Sequence, residues 1–365
     1  MMYTEKMKHI LKFLFTISLS FYAFQVSFAL DDTVFLQSTP IFVGEEKFNQ
    51  RIQQIKQERE PLGLVLSGGS ARAYAHIGVL RQLEKADIKP DFIVANSMGA
   101  IIGLLYSAGF SADDIQQIVT SVELTSFFDI VLPLKGGLLS SRYFEEALSR
   151  LFPDSPFDIS NSFIPIIVPA EDFYSKRQII FAQGNIIQVM RAAFAMSFMM
   201  EPVKYYLPDG TKTLLIDSGA IDLGSFSIAK RISDNLIVST ALYTPNLKGN
   251  NPITILNRTL SIGKERILIQ DLLTNSPLLI RNDVENYSFM DFANVSEIIN
   301  KGDTCAKDFL LNSSSFFHGN YSQDTNTFSV SDFNNMRSEK KKITKTFCSE
   351  LKGEEIPTVK QPMQV

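Results

Sequence analysis

The chain has 365 residues, of which 45% are hydrophobic and 20% charged, so it can build a full core and is neither a disordered nor a low-complexity polymer. Its 35 Lys and Arg stand against 39 Asp and Glu, which supplies no broad basic face and excludes nucleic acid as the expected partner. Two Cys and three His (His9, His76 and His318) are too few for a zinc site built from four N/S ligands, and no metal or other cofactor is expected, although a carboxylate-rich site stays open.

Lys6, Lys8 and Lys12 precede an apolar stretch from Phe13 to about Val26, and Ser27-Phe28-Ala29 places small residues at the two positions a signal peptidase reads. Thr16, Ser18, Ser20 and Gln25 interrupt the stretch, which falls short of the roughly 20 apolar residues of a membrane span. The expectation is a cleaved signal peptide over residues 1–29 and export to the periplasm, cell envelope or medium. In an oxidising compartment a Cys305–Cys348 bridge can persist, and two unpaired thiols fit the sequence equally well.

Residues 30–60 form a polar segment, with Asn49 to Glu60 reading as a solvated helix or linker. Leu62 to Leu66 is a short apolar run that breaks into Ser67-Gly68-Gly69, as a buried strand entering a glycine turn does. Ala73, Ile77, Leu80 and Leu83 follow at helical spacing, and Asp91 to Ala95 reads as the next buried strand. A helix from Ala100 to Ala108 stops at Gly109. Ile164 to Val168, Thr213 to Ile216 and Leu236 to Ala241 read as further strands, and Ile186 to Ala195 as a helix. This alternation predicts an α/β domain over residues 61–308, with a largely parallel sheet covered by helices. Residues 309–365 read as a C-terminal extension without its own core. In it Lys340-Lys341-Lys342 is a solvated face or a contact for anionic headgroups. Two apolar stretches, Val122 to Leu134 and Phe194 to Val203 with Met196, Met199 and Met200, suit either ordinary core packing or an acyl-chain pocket.

Three local patterns carry chemistry. Ala95-Asn96-Ser97-Met98-Gly99 sets a serine between an apolar strand and a helix, flanked by small residues, as a strained nucleophile turn requires. Gly68-Gly69-Ser70-Ala71-Arg72 opens a helix after a buried strand, where backbone N–H groups can meet an oxyanion; no Lys-Ser/Thr follows at the spacing of a phosphate loop. Asp217-Ser218-Gly219-Ala220 ends an apolar strand, where partial desolvation raises a carboxylate's proton affinity and makes it a better base.

In this order the patterns resemble those of the patatin-like phospholipases: a G-G-G-x-K/R-G loop, a G-x-S-x-G serine and a D-G-G/A aspartate. Ala75-His76-Ile77-Gly78-Val79-Leu80 looks like that family's first helix. Met190-Arg191-Ala192-Ala193 is similar to the segment before its aspartate, and Asp291-Phe292 to Gly302 to its closing helix. The resemblance spans roughly residues 60 to 308 and implies a three-layer α/β/α patatin-like fold with a mostly parallel central sheet.

It further implies lipid acyl-ester hydrolysis of phospholipase A or lysophospholipase type, with Ser97 as nucleophile, Asp217 as base and an acyl-enzyme intermediate. Gly68, Gly69 and Ser70 would form the oxyanion hole, and Arg72 would brace the loop or meet a lipid phosphate. Met98, beside the serine, belongs to the same oxyanion and substrate-binding group. The implied partners are phospholipid or lysophospholipid and, peripherally, a membrane. Four departures replace glycine: Ser70, Ala73, Ala95 and Ser218. A side chain at a site that needs positive φ costs roughly 1 kcal/mol or more. These losses favour an alternative, a catalytically degenerate member that binds lipid or serves as an envelope scaffold. A Ser97, Asp217, His318 triad is the rival mechanism; His318 sits in a Ser/Asn-rich stretch with no preceding strand. A packed, hydrogen-bonded role is expected for His76.

Overall fold

The structure, a computed structural model, describes residues 39–121, 128–130, 135–154, 156–241, 252–313 and 330–353. The leader at residues 1–29, His318 and most of the Val122 to Leu134 stretch lie outside them.

The described chain begins with β1 (Ile41–Val43) and α1 (Glu45–Lys56). α1 corrects the expectation of a wholly solvated segment: Phe48, Ile52 and Ile55 recur at helical spacing and are buried, which makes it a packed amphipathic helix. β2 (Gly63–Leu66), a 3-10 turn (Ser70–Tyr74), α2 (Ala75–Lys85) and β3 (Phe92–Ala95) form the strand, glycine loop, helix and strand unit legible in the sequence. α3 (Met98–Ser107) and α4 (Ala112–Ser121) follow, then β4 (Asp129–Ile130), β5 (Gly137–Ser140) and α5 (Arg142–Leu151). β6 (Ile166–Asp172), β7 (Gln178–Phe181), α6 (Ile186–Ala193), β8 (Phe198–Met200), β9 (Val203–Tyr206) and β10 (Lys212–Asp217) come next. The described chain closes with α7 (Phe226–Ile232), β11 (Leu236–Thr240), α8 (Pro252–Asn275), β12 (Leu278–Arg281), α9 (Val295–Asn312) and α10 (Val330–Gly353).

The main sheet runs β1-β7-β6-β3-β2-β11-β12, and β4, β5 and β8 make a small second sheet. From β6 to β12 all pairings along this path are parallel. Both faces of its strands are apolar because both are covered. Leu64, Leu66, Ile93, Ala95 and Ile237 enter one core with α2, α3 and α9; Val65, Phe92, Val94, Leu236 and Val238 enter another with α1, α7 and α8. The architecture is a three-layer α/β/α fold with a mostly parallel central sheet.

One departure from parallel order positions the site. β6 outruns β3: Ile166 and Ile167 pair with Ile93 and Val94, and beyond them Ala170 to Asp172 pair antiparallel with β10. β10 therefore runs back toward the end of β3 and delivers its last residue, Asp217, opposite Ala170, beside the point where the chain leaves β3.

α10 packs on the domain with Lys340, Thr344, Phe347 and Leu351 buried on one face at helical spacing. Lys340 is thus no part of a solvated run: its Nζ lies 5.4, 5.7 and 5.8 Å from the ring centroids of Phe110, Phe152 and Phe157, while Lys341 and Lys342 are exposed. Cys305 and Cys348 are free thiols. The Cys305 Sγ accepts from the Asp283 N–H and the Cys348 Sγ donates to the Gln117 carbonyl, so in this structure the two thiols have separate partners.

Candidate active site

Ser97 caps the N-terminus of α3 with φ 53° and ψ −128°, outside the regions a side chain adopts without strain. The tight passage from β3 into α3 imposes it. Gly99 permits that passage, since a Cβ there would stand 2.5 Å from the Ser67 carbonyl oxygen and 2.7 Å from that of Leu66. Asn96 Nδ2 ties the turn to the Asp222 carbonyl at 2.6 Å and to Ser225 Oγ at 2.7 Å. Asn96 lies inside the pentapeptide, where an amide next to the serine is the mark it leaves in the sequence.

Ser97 Oγ donates to Asp217 Oδ2 at 2.6 Å, and both residues are buried. Asp217 Oδ1 accepts the Gly219 N–H at 2.7 Å, which fixes the carboxylate by its own turn. Burial pushes the Asp217 pKa up from the usual carboxylate range to about 6. The hydrogen bonds from Ser97 and Gly219 and the positive charge of Lys264 pull against that rise, and Glu171 adds to it. The arrangement is a hydroxyl poised on a base that titrates near neutrality.

The glycine loop lies against the serine: a Cβ on Gly68 would stand 3.1 Å from Ser97 Cβ. The expectation that three loop amides point into open space needs correction, because the Gly68 N–H donates to the Leu223 carbonyl at 2.8 Å. Among the described residues the amides of Gly69 and Ser70 have no such partner, and Met98, first in α3, has an N–H at a helix start. Ser70 has φ 51° and a buried hydroxyl without a hydrogen-bond partner among the described residues. Of the four glycine replacements it alone occupies the left-handed region, since Ala73, Ala95 and Ser218 have no positive φ. Arg72 is 2% exposed and directs Nε to the Gly69 carbonyl at 3.5 Å, the geometry of a brace, with no outward face for a lipid phosphate.

His76 is buried between Ser67 and Ser239. Its Nε2 faces the Ser67 carbonyl at 2.9 Å, so that nitrogen carries the proton and Nδ1 accepts from Ser239 Oγ at 2.7 Å. Burial brings its pKa down to about 4, and the ring is neutral. Among the described residues no histidine hydrogen-bonds to Ser97 or Asp217. No group of three or more His, Cys, Asp or Glu among the described residues could hold a metal ion. Phe194 stacks on Phe128 at 5.7 Å and meets Phe144 at 6.0 Å, which is core packing.

The family model for patatin-like phospholipase matches residues 64–242, from β2 to just beyond β11, and so includes the loop, Ser97 and Asp217. Patatin-like phospholipase domain-containing protein 6 of Homo sapiens is 28% identical over 183 residues, which is 49% of this chain and 13% of that protein. Lysophospholipase nte1 of Emericella nidulans is 23% identical over 313 residues, 75% of this chain and 20% of that relative. The chain thus spans a fifth or less of the length of these two relatives. Among solved structures, VipD from Legionella pneumophila aligns with a TM-score of 0.42 and 12% identity, covering 69% of this chain and 67% of that one.

Proposed function

Since the chain belongs to the patatin-like phospholipase family, we propose that it hydrolyses acyl ester bonds of phospholipids or lysophospholipids through a Ser97–Asp217 dyad. The observation that carries this reading is the 2.6 Å hydrogen bond from Ser97 Oγ to a buried carboxylate. Asp217 takes the Ser97 proton as Oγ attacks the acyl carbonyl carbon. The tetrahedral oxyanion is met by the amides of Gly69 and Ser70, with Met98 at the start of α3, and Gly68 is excluded by its bond to Leu223. Each well-aimed donor contributes on the order of 3 kcal/mol in the transition state. Collapse expels the alcohol, which takes the proton from Asp217. Water, deprotonated by Asp217, then releases the fatty acid from the acyl-enzyme. We also propose export, from the charged and apolar pattern of residues 1–29, and peripheral contact with a membrane as the source of substrate; no described helix is long and apolar enough to cross one.

One observation favours the degenerate, lipid-binding alternative: Ser70 places a strained side chain, without a hydrogen-bond partner among the described residues, in the loop that must receive the oxyanion. Turnover of a short-chain acyl ester and of lysophospholipid by the purified protein separates the two. The dyad predicts turnover that falls about 1000-fold or more in Ser97→Ala with the melting temperature maintained. No turnover from either protein leaves binding alone. Asp217 must be ionised to act, so kcat/KM is expected to rise with pH to a plateau, half-maximal near the value of about 6 that its burial imposes. An acid limb near 4 counts against Asp217 as base.

A further inference from the structure

The turn that follows Asp217 carries a cluster that the proposed chemistry leaves unused. Ser218 Oγ donates to Glu171 Oε1 at 2.7 Å, and Gln178 Nε2 reaches the same oxygen at 3.1 Å and Ser218 Oγ at 3.3 Å. Strand register brings them together: Glu171 of β6 stands opposite Gln178 of β7 on one side and Ile216 of β10 on the other. Ser218 is fully buried, and Glu171 and Gln178 are half-buried. A carboxylate taken from water is costly unless its oxygens are hydrogen-bonded. Burial pushes the Glu171 pKa up, and Ser218 and Gln178 hold it back. A glycine at 218, which the family pattern carries there, would leave Glu171 without its shortest bond. The serine departure and Glu171 therefore form one unit.

We propose that Glu171, Ser218 and Gln178 position Asp217, by anchoring the turn whose Gly219 N–H holds Asp217 Oδ1. The proposal rests on the Ser97–Asp217 reading, and Glu171 acts through Ser218 and Asp217 without touching substrate. The charged groups around Asp217 are Glu171 from β6 and Lys264 from α8, and Asp222, beyond the turn, acts in turn on Glu171. Glu171 opposes ionisation of Asp217, so neutralising it lets Asp217 ionise at lower pH.

The test is the pH dependence of short-chain ester hydrolysis by the full chain and by Ser97→Ala, Glu171→Gln, Ser218→Ala and the Glu171→Gln/Ser218→Ala double variant. Glu171→Gln keeps the shape and removes the charge, and is expected to move the acid limb of kcat/KM down by about half a pH unit with KM unchanged. Ser218→Ala is expected to lower kcat roughly threefold to tenfold, and the double variant to fall short of the product of the two effects. Wild-type limbs and wild-type kcat in both single variants overturn the positioning role and leave the dyad standing. Absent wild-type turnover, or turnover that survives Ser97→Ala, overturns the dyad and this proposal with it. Should Glu171→Gln not fold, Ser218→Ala decides alone, with unchanged kcat and limb as the overturning result.

Discussion

Ser70 concentrates the tension in this site. Its φ of 51° suits glycine, and its hydroxyl is buried without a partner among the described residues. Ser70→Gly removes both costs, against some added freedom in the unfolded chain. It is expected to stabilise the protein by on the order of 1 kcal/mol, read as a rise in melting temperature, and to raise kcat by opening the loop proposed to receive the oxyanion. A lower melting temperature would show that the hydroxyl has a structural role. At this scale the sequence was informative where the chemistry is local. Ser97 and Asp217 announce themselves through small neighbours at the ends of apolar strands. The occupied amide of Gly68 was not legible, because its acceptor, Leu223, lies far along the chain. Glu171 was hidden for the same reason: a carboxylate closing an apolar run reads as a strand end until β7 and β10 are set beside it.

Among the elements, the contact between α2 and α9 governs how firmly the loop is held, because α2 continues directly from the loop's 3-10 turn. The helices meet at two glycines. A Cβ on Gly302 would stand 1.9 Å from the Ala75 carbonyl oxygen, and one on Gly78 2.2 Å from that of Ile299. Backbone cannot yield as a side chain can, so Gly302→Ala is expected to destabilise by about 1–3 kcal/mol in urea unfolding. Gly263→Ala in α8 is the matched control. A Cβ there meets no atom of the described residues within 4 Å, and the change should stabilise by roughly 1 kcal/mol through helix propensity. The central parallel strands were legible as apolar runs because both their faces are buried. The antiparallel return of β10 was not, since direction within a sheet follows from pairing and leaves no mark on composition. β1 and β8, at three residues each, are too short to show a period.

Across the molecule, α10 joins the domain through a cation among aromatic rings. Phe110, Phe152 and Phe157 surround the Lys340 ammonium, and Arg337 pairs with Glu84 at 2.9 Å beside them. Lys340→Ala removes both the charge over the rings and the methylene stem, and is expected to cost about 1–2 kcal/mol in urea unfolding, whereas exposed Lys341→Ala should be neutral. A basic run read by composition alone gave no hint that one of its three lysines turns inward; that depends on which face α10 lays on α4 and α5.

Ser97 and Asp217 lie 120 residues apart, one just beyond the end of β3 and the other at the end of β10, strands of opposite direction. Nothing local can bring them together. A chain caught with β2, β3 and β11 already aligned would hold a strained hydroxyl and nothing to receive its proton. During refolding, ester cleavage would therefore not begin before β10 seats on β6, in whatever order the helices and the parallel strands form.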